Sequence, residues 1–191
     1  MREIKSYTET THEERMSDAL FRYMDLTFIY ADLFHPYIDE RVKTFGIKEG
    51  MTVVDYGCGT GRYTIRFARM VGEKGKVYAA DIHELAMKRI RRIIARRRLE
   101  NVIPVLTRGY QSDIPDHAAD VICAIDMFFA IQAPEPFLAE LRRICKPQGT
   151  LVIDDGHQER SVTKEKLLAS GCWTIREESD DHLKCSPFKP A

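Results

Sequence analysis

The chain has 191 residues, 44% hydrophobic and 30% charged, a balance that suits one globular domain and excludes disordered and fibrous classes. Lys plus Arg and Asp plus Glu are equal at 29 each, so no overall field draws the chain to nucleic acid or to an anionic membrane. No signal peptide is expected from Met1 to Thr11, and the most apolar run, Val121 to Ile131, is too short to span a bilayer and contains Asp126.

The region from Thr11 to Phe45 reads as helix, with Thr11 as cap, Glu14 three residues later as in a capping box, and a break at Pro36. Phe21, Met24, Phe28, Leu33, Phe34 and Tyr37 make it aromatic, either for packing on a sheet or as a lid over a ligand, which Tyr7, Tyr23, Tyr30 and Tyr37 would line. Residues 1–45 are therefore expected as an N-terminal helical lid segment and 46–191 as the main fold.

From Met51 the pattern changes. Strands are expected at Met51–Tyr56, Lys76–Ala80, Val102–Leu106, Val121–Ile125 and Thr150–Ile153, the last after a turn at Lys146–Gly149. Helices are expected between them at Tyr63–Val71, Glu84–Arg98 and Phe137–Cys145. The strands are apolar throughout, as when helices cover both faces, and the alternation predicts an α/β, doubly wound parallel sheet. After a helix at Thr163–Ala169, Trp173–Glu178 and His182–Ser186 flank a polar turn, so a hairpin with an antiparallel strand closes the sheet. Five widely spaced cysteines include no Cys-x-x-Cys pair, which points to free thiols, a reducing cytoplasm and no zinc site.

The strongest local signal is Val53-Val54-Asp55-Tyr56-Gly57-Cys58-Gly59-Thr60-Gly61, between a strand and a helix. A dinucleotide fingerprint needs its third glycine five residues after the first, where this chain has Arg62. Asp55, two residues before the first glycine, would repel a diphosphate but favour an ammonium group. S-adenosylmethionine (SAM) carries such a group, together with a carboxylate suited to a helix N-terminus. Asp81 ends the second strand about twenty residues beyond the loop, placed to accept two ribose hydroxyls, and Ile82 would line the adenine.

These segments resemble the class I SAM-dependent methyltransferases, most closely the small-molecule type related to the ubiquinone and menaquinone C-methyltransferases. The matching text runs from Lys48 to Ile153. It includes Gly50 to Gly61, Val77 to Asp81, Ile114-Pro115, Asp120-Val121-Ile122 and Leu141 to Leu151. The resemblance implies a Rossmann-like seven-stranded sheet in the order 3-2-1-4-5-7-6 with strand 7 antiparallel. It also implies bound SAM, S-adenosylhomocysteine as product, and no metal. Many relatives carry Gly-Asp after strand 3, the Asp accepting from the adenine amino group. Here the text is Gly109-Tyr110, so Tyr110 is the expected cofactor residue, with Gln111 and Ser112 as substitutes.

Methyl transfer to a small molecule needs positioning, and a base only where the nucleophile holds a proton. Asp126, ending the fourth strand, is expected to hold the SAM amino group or face the substrate. In Asp154-Asp155-Gly156-His157 the histidine is the candidate catalytic base. Residues 88–98 hold seven basic residues in eleven, with Met87, Ile90, Ile93, Ile94 and the stem of Arg97 on the sheet-facing side. That helix leaves an alternative open, a methyltransferase acting on RNA or a ribosomal protein. A non-catalytic SAM-binding protein is a third reading.

Overall fold

The computed structural model describes residues 15–34 and 37–188. Thr11, Glu14 and Tyr7 therefore lie outside the described residues, as does the Tyr30 side chain. Seven strands form one sheet in the order β3-β2-β1-β4-β5-β7-β6. They are β1 (Thr52–Tyr56), β2 (Lys76–Asp81), β3 (Val102–Leu106), β4 (Ala119–Ala124), β5 (Cys145–Ile153), β6 (Trp173–Glu178) and β7 (Leu183–Pro187). β1, β2 and β3 pair in parallel, as do β4 and β5, whereas β7 is antiparallel to both β5 and β6. The expected order and the reversed last strand are both present. Two compact units divide the described chain, 15–107 and 108–188.

In the first unit, α1 (Asp18–Phe34) and α2 (Tyr37–Lys43) precede the sheet, α3 (Arg62–Val71) follows β1 and α4 (Glu84–Arg97) follows β2. Pro36 falls between α1 and α2, where a proline would interrupt helical hydrogen bonding. The core gathers apolar side chains from both layers: Val53 and Val54 from β1, Phe67 and Val71 from α3, Met87 and Ile90 from α4. α4 buries Ala86, Met87, Ile90 and Ile93 at helical spacing. Its last turn departs from expectation. Ile94 is half-buried and Arg97 exposed, because the helix stops there: Arg98 turns left-handed (φ 53°) and its N–H donates to the Ile94 carbonyl.

In the second unit, α5 is Pro134–Ile144 and α6 is Arg160–Ala169. α5 starts three residues before the expected Phe137, since Pro134 suits a first helical position that needs no N–H donor. β5 is also longer than predicted. Ala119 pairs with Cys145 and Val121 with Thr150, so the expected turn at Lys146–Gly149 is a bulge inside one strand. Phe128, Phe137, Leu138, Leu141 and Leu151 are buried, and the Trp173 indole N–H donates to the Leu138 carbonyl at 3.1 Å, tying β6 to α5. The Asp180-Asp181-His182 cluster is the polar turn between β6 and β7, with His182 Nδ1 2.7 Å from Asp181 Oδ1. None of the five cysteines is in a disulfide, and burial pushes the Cys145 and Cys185 thiols up to about 12, which leaves them unreactive core residues.

Candidate functional site

The loop 57–61 joins the end of β1 to α3. The Gly57 and Cys58 N–H groups both donate to the Ala80 carbonyl, at 2.8 and 3.0 Å, so the loop is fastened to the end of β2. Gly59 has φ 48° and Gly61 φ 83°, values that a residue with a Cβ rarely adopts. The two positions differ in surroundings. A Cβ on Gly61 would stand 2.7 Å from Ile90 Cδ1 and 3.0 Å from Ile93 Cδ1, so Gly61 lets the loop press against α4. A Cβ on Gly59 would meet nothing closer than 3.9 Å, leaving that side open to a ligand.

Asp81 is the acid of this loop. Its Oδ2 accepts the Gly59 N–H at 2.8 Å and its Oδ1 accepts the His83 N–H at 2.7 Å. Burial raises its pKa, and backbone hydrogen bonds, that from His83 first, oppose the rise. A carboxylate offers about four acceptor positions, so two remain for hydroxyl donors. Ile82 beside it is half-buried. The α4 cap is His83, whose Nδ1 accepts the Leu85 N–H at 3.1 Å. With Nδ1 an acceptor, the neutral ring carries its proton on Nε2, 3.6 Å from Asp18 Oδ1 of α1, and Phe21 packs on the ring at 4.7 Å. Burial and the nearby Arg15 lower the His83 pKa.

Asp55 sits deeper than its sequence position suggests, only 3% exposed. The Thr64 hydroxyl on α3 donates to its Oδ2 at 2.5 Å. Burial pushes the carboxyl up to about 7, against the Thr64 hydrogen bond, and the neighbouring Asp81 adds to the rise. Thr64 is the residue that sequence reading missed here. Its signal is a hydroxyl on the first turn of α3, nine residues after the acid.

The remaining predicted residues belong to 108–188. Tyr110 is buried, its ring edge-on to Phe137 at 5.6 Å and its hydroxyl accepting the Ala133 N–H at 3.2 Å. Ser112 is held by Glu140, which accepts both its N–H at 3.0 Å and its hydroxyl at 2.7 Å, while Gln111 is exposed. Arg143 completes this network by donating to Glu140, the Ser112 and Ile114 carbonyls and Asp116, and these carboxylates raise its pKa further. Asp126 is exposed with φ 58°, an uncommon conformation held by its N–H donating to buried Asp154 at 2.9 Å. His157 is exposed and stands edge-on to Phe129 at 4.8 Å. Asp155 pairs with Arg160 at 2.6 Å, and Arg160 also reaches Glu178 and the Ser179 carbonyl, so this acid braces the hairpin. Among the described residues no group of three metal-ligating side chains comes together.

A glycine loop fastened to β2, a strand-end acid with spare acceptor positions and the 3-2-1-4-5-7-6 sheet coincide with one family. Residues 47–184 match the model of a methyltransferase domain. The chain belongs to that family. This methyltransferase domain is 35% identical over 114 residues to the ubiquinone/menaquinone biosynthesis C-methyltransferase UbiE of Escherichia fergusonii, covering 56% of this chain and 43% of that protein. The UbiE of Azotobacter vinelandii is 33% identical over 113 residues, covering 59% and 45%. The chain thus spans less than half the length of these curated relatives. Among solved structures, a SAM-dependent methyltransferase from Aquifex aeolicus shares 26% identity at a TM-score of 0.81, covering 91% of this chain and all of that one. A second methyltransferase structure, from Methanococcus maripaludis, is 17% identical at a TM-score of 0.71, covering 90% and 93%, and speaks to the fold alone. The fold is that of the class I SAM-dependent methyltransferases, whose cofactor is SAM.

The residues present fit that cofactor. Gly59 is open on the side where a Cβ would otherwise stand, and Asp81 retains acceptor capacity for two hydroxyls. Asp55 supplies a second acid before the loop, but it is buried and its carboxyl is pushed up to about 7, so its charge is only partly present near neutral pH.

Proposed function

We propose that this protein transfers a methyl group from SAM to a small-molecule acceptor in the cytoplasm. The observation that carries the reading is the Asp81 carboxylate, fixed by the Gly59 and His83 N–H groups at the open side of the glycine loop. Bound SAM supplies an electrophilic methyl on sulfur, and the product is S-adenosylhomocysteine. In this proposal Asp81 binds the ribose hydroxyls, Ile82 lines the adenine, Gly59 lets the backbone approach the ligand, and Gly57 and Gly61 shape the cofactor loop around it. Asp55, about half ionised near pH 7, contributes a partial negative potential behind the loop.

The assignments on 108–188 rest on the resemblance. Asp126 would hold the amino group or face the acceptor, and Tyr110 would stand beside the adenine. His157 would take the proton that an O–H, N–H or C–H acceptor gives up as the carbon–acceptor bond forms. We assign residues 1–45 as a lid segment and 46–191 as the catalytic domain. In support, α1 lies against the start of α4 through Phe21 and against α3 through Phe28, whose ring carries the Arg62 guanidinium at 4.3 Å. Tyr23 and Tyr37 are exposed on these helices. The UbiE relatives, named as acting in quinone biosynthesis, support an apolar or aromatic acceptor.

The test is calorimetry with S-adenosylhomocysteine. The expected result is saturable binding, weakened at least tenfold in Asp81→Ala while the circular dichroism spectrum is unchanged. Binding of NADH with indifference to S-adenosylhomocysteine would overturn the reading.

A further inference from the structure

Within 15–107 the outward side of α4 carries charge that the packing of the fold does not use. Lys88, Arg91, Arg92 and Arg96 are exposed, as is Arg98 at the helix end, while Ala86, Met87, Ile90 and Ile93 are buried on the other side. Residues 88, 91, 92 and 96 stand three or four apart, so their side chains are neighbours on the helix surface. Among the described residues, no carboxylate lies within ion-pair distance of any of these five cations. Arg89, on the flank, differs from them in pairing with Asp25 of α1 at 2.9 Å. The one acid of α4 is Glu84, in its first turn.

Helix stability explains only part of this pattern. Cations in the last turn complement the helix dipole, which accounts for Arg96 and Arg98, but the effect does not extend to mid-helix Lys88, Arg91 and Arg92. Like charges at this spacing oppose helix formation, so the face favours an anionic partner in a chain whose formal charge is zero. The neighbouring helix indicates which partner. α1 meets α4 through Phe21 on the His83 ring and through Asp25 on Arg89, and it leaves Leu20, Tyr23 and Leu26 exposed at three-residue spacing, Leu26 by 71%. Cations beside exposed leucine and tyrosine match a lipid interface, where phosphate headgroups lie over the start of the acyl chains. Single-stranded nucleic acid is held by aromatic side chains set among the cations, and the exposed side of α4 has none.

We propose that the outward face of α4, flanked by α1, docks the protein on an anionic lipid surface, with Arg91 and Arg92 as the central headgroup contacts. The attachment is peripheral, and it is independent of the methyl-transfer reading. The probe is a set of vesicles, phosphatidylcholine alone or mixed in equal parts with phosphatidylglycerol, sedimented with the full chain at physiological salt. Retention on the mixed vesicles is expected, at least tenfold weaker on phosphatidylcholine alone and weakened again by added salt, which screens exposed charges. Arg91→Glu/Arg92→Glu should lower the partition coefficient on mixed vesicles at least tenfold. Its affinity for S-adenosylhomocysteine should equal the parent's, which shows an intact fold and separates failure here from failure of the cofactor assignment.

A second variant, Lys48→Glu/Arg176→Glu, reverses two exposed charges on other elements and should stay within twofold of the parent. Three results would overturn the proposal: no retention on mixed vesicles, equal losses in both double variants, or tight binding of a single-stranded RNA oligonucleotide without retention on vesicles. The last would assign the face to a nucleic-acid backbone.

Discussion

Asp81, at the end of β2, accepts the Gly59 N–H of the glycine loop at 2.8 Å while its other oxygen holds the His83 N–H. The acid thus has two tasks, shaping the loop and offering its remaining lone pairs outward. Asp81→Asn separates them. An amide has one acceptor oxygen, so one of the two backbone donors faces an NH2 group. Leaving a buried donor unpaired costs about 1–3 kcal/mol. Urea denaturation should show a loss of that size, alongside at least tenfold weaker binding of S-adenosylhomocysteine. An unchanged midpoint would mean that Asp81 does not hold the loop.

The buried Asp55 makes stability depend on pH in a defined direction. Its carboxyl is raised to about 7, whereas the unfolded chain ionises it in the usual carboxylate range near 4. Between those values the folded state retains a proton that the unfolded state has lost. The contribution of this group is therefore fully present below about pH 4 and falls as pH rises through 7. A three-unit difference corresponds to about 4 kcal/mol at most. Asp55→Asn keeps an acceptor for the Thr64 hydroxyl and removes the charge, so its stability relative to the parent should improve by about 1–4 kcal/mol between pH 5 and pH 8. Denaturant midpoints at the two pH values measure this, and a difference independent of pH would refute the raised carboxyl.

Much of this site was legible in the chain, and the reason is local. Val53 to Gly61 announces a strand, a turn and a helix through apolar run, glycine spacing and amphipathic period, and Asp81 follows at a spacing set by one strand–helix–strand unit. Strand order was inferred through resemblance, since periodicity alone does not say which strands are neighbours. What escaped was contact information. Nothing in Asp55 itself shows that Thr64 shares its proton, and nothing in Ser112 shows that Glu140, 28 residues on, takes both of its donors. The Lys146–Gly149 segment looked like a turn because Pro and Gly commonly punctuate chains. The sheet instead absorbs it as a bulge between two pairs of the same ladder.

Gly61 gives a prediction with a built-in control. Gly61→Ala places a methyl group 2.7 Å from Ile90 Cδ1 at a backbone φ of 83°. The left-handed backbone costs about 1–3 kcal/mol for a residue with a side chain, and overpacking adds a similar amount. Ile90→Val deletes the nearer clashing Cδ1, so in the double variant the larger part of the steric cost should be relieved, the Ile93 Cδ1 at 3.0 Å remaining. A coupling of about 0.5–1 kcal/mol is expected from the double-mutant cycle. Strict additivity would show that the Ile90 Cδ1 carries none of the cost.

The Glu140–Arg143 pair holds the segment 112–116 that follows Tyr110. Glu140 is buried, accepts from Ser112 and Arg143, and stands three residues before Arg143 on α5. Arg143 in turn donates to the Ser112 and Ile114 carbonyls at 3.0 and 2.9 Å. Glu140→Gln preserves one acceptor for Ser112 but turns an NH2 group toward the Arg143 guanidinium. Breaking a charge-assisted contact in this way costs about 1.5–3 kcal/mol. Because the lost contacts converge on residues 112–116, the effect should be local as well as global. Amide hydrogen exchange at Ser112 and Ile114 should accelerate at least tenfold, while the β1 and β2 amides slow or quicken only with overall stability. Equal acceleration across the sheet would show that the pair acts on the whole fold and not on this segment.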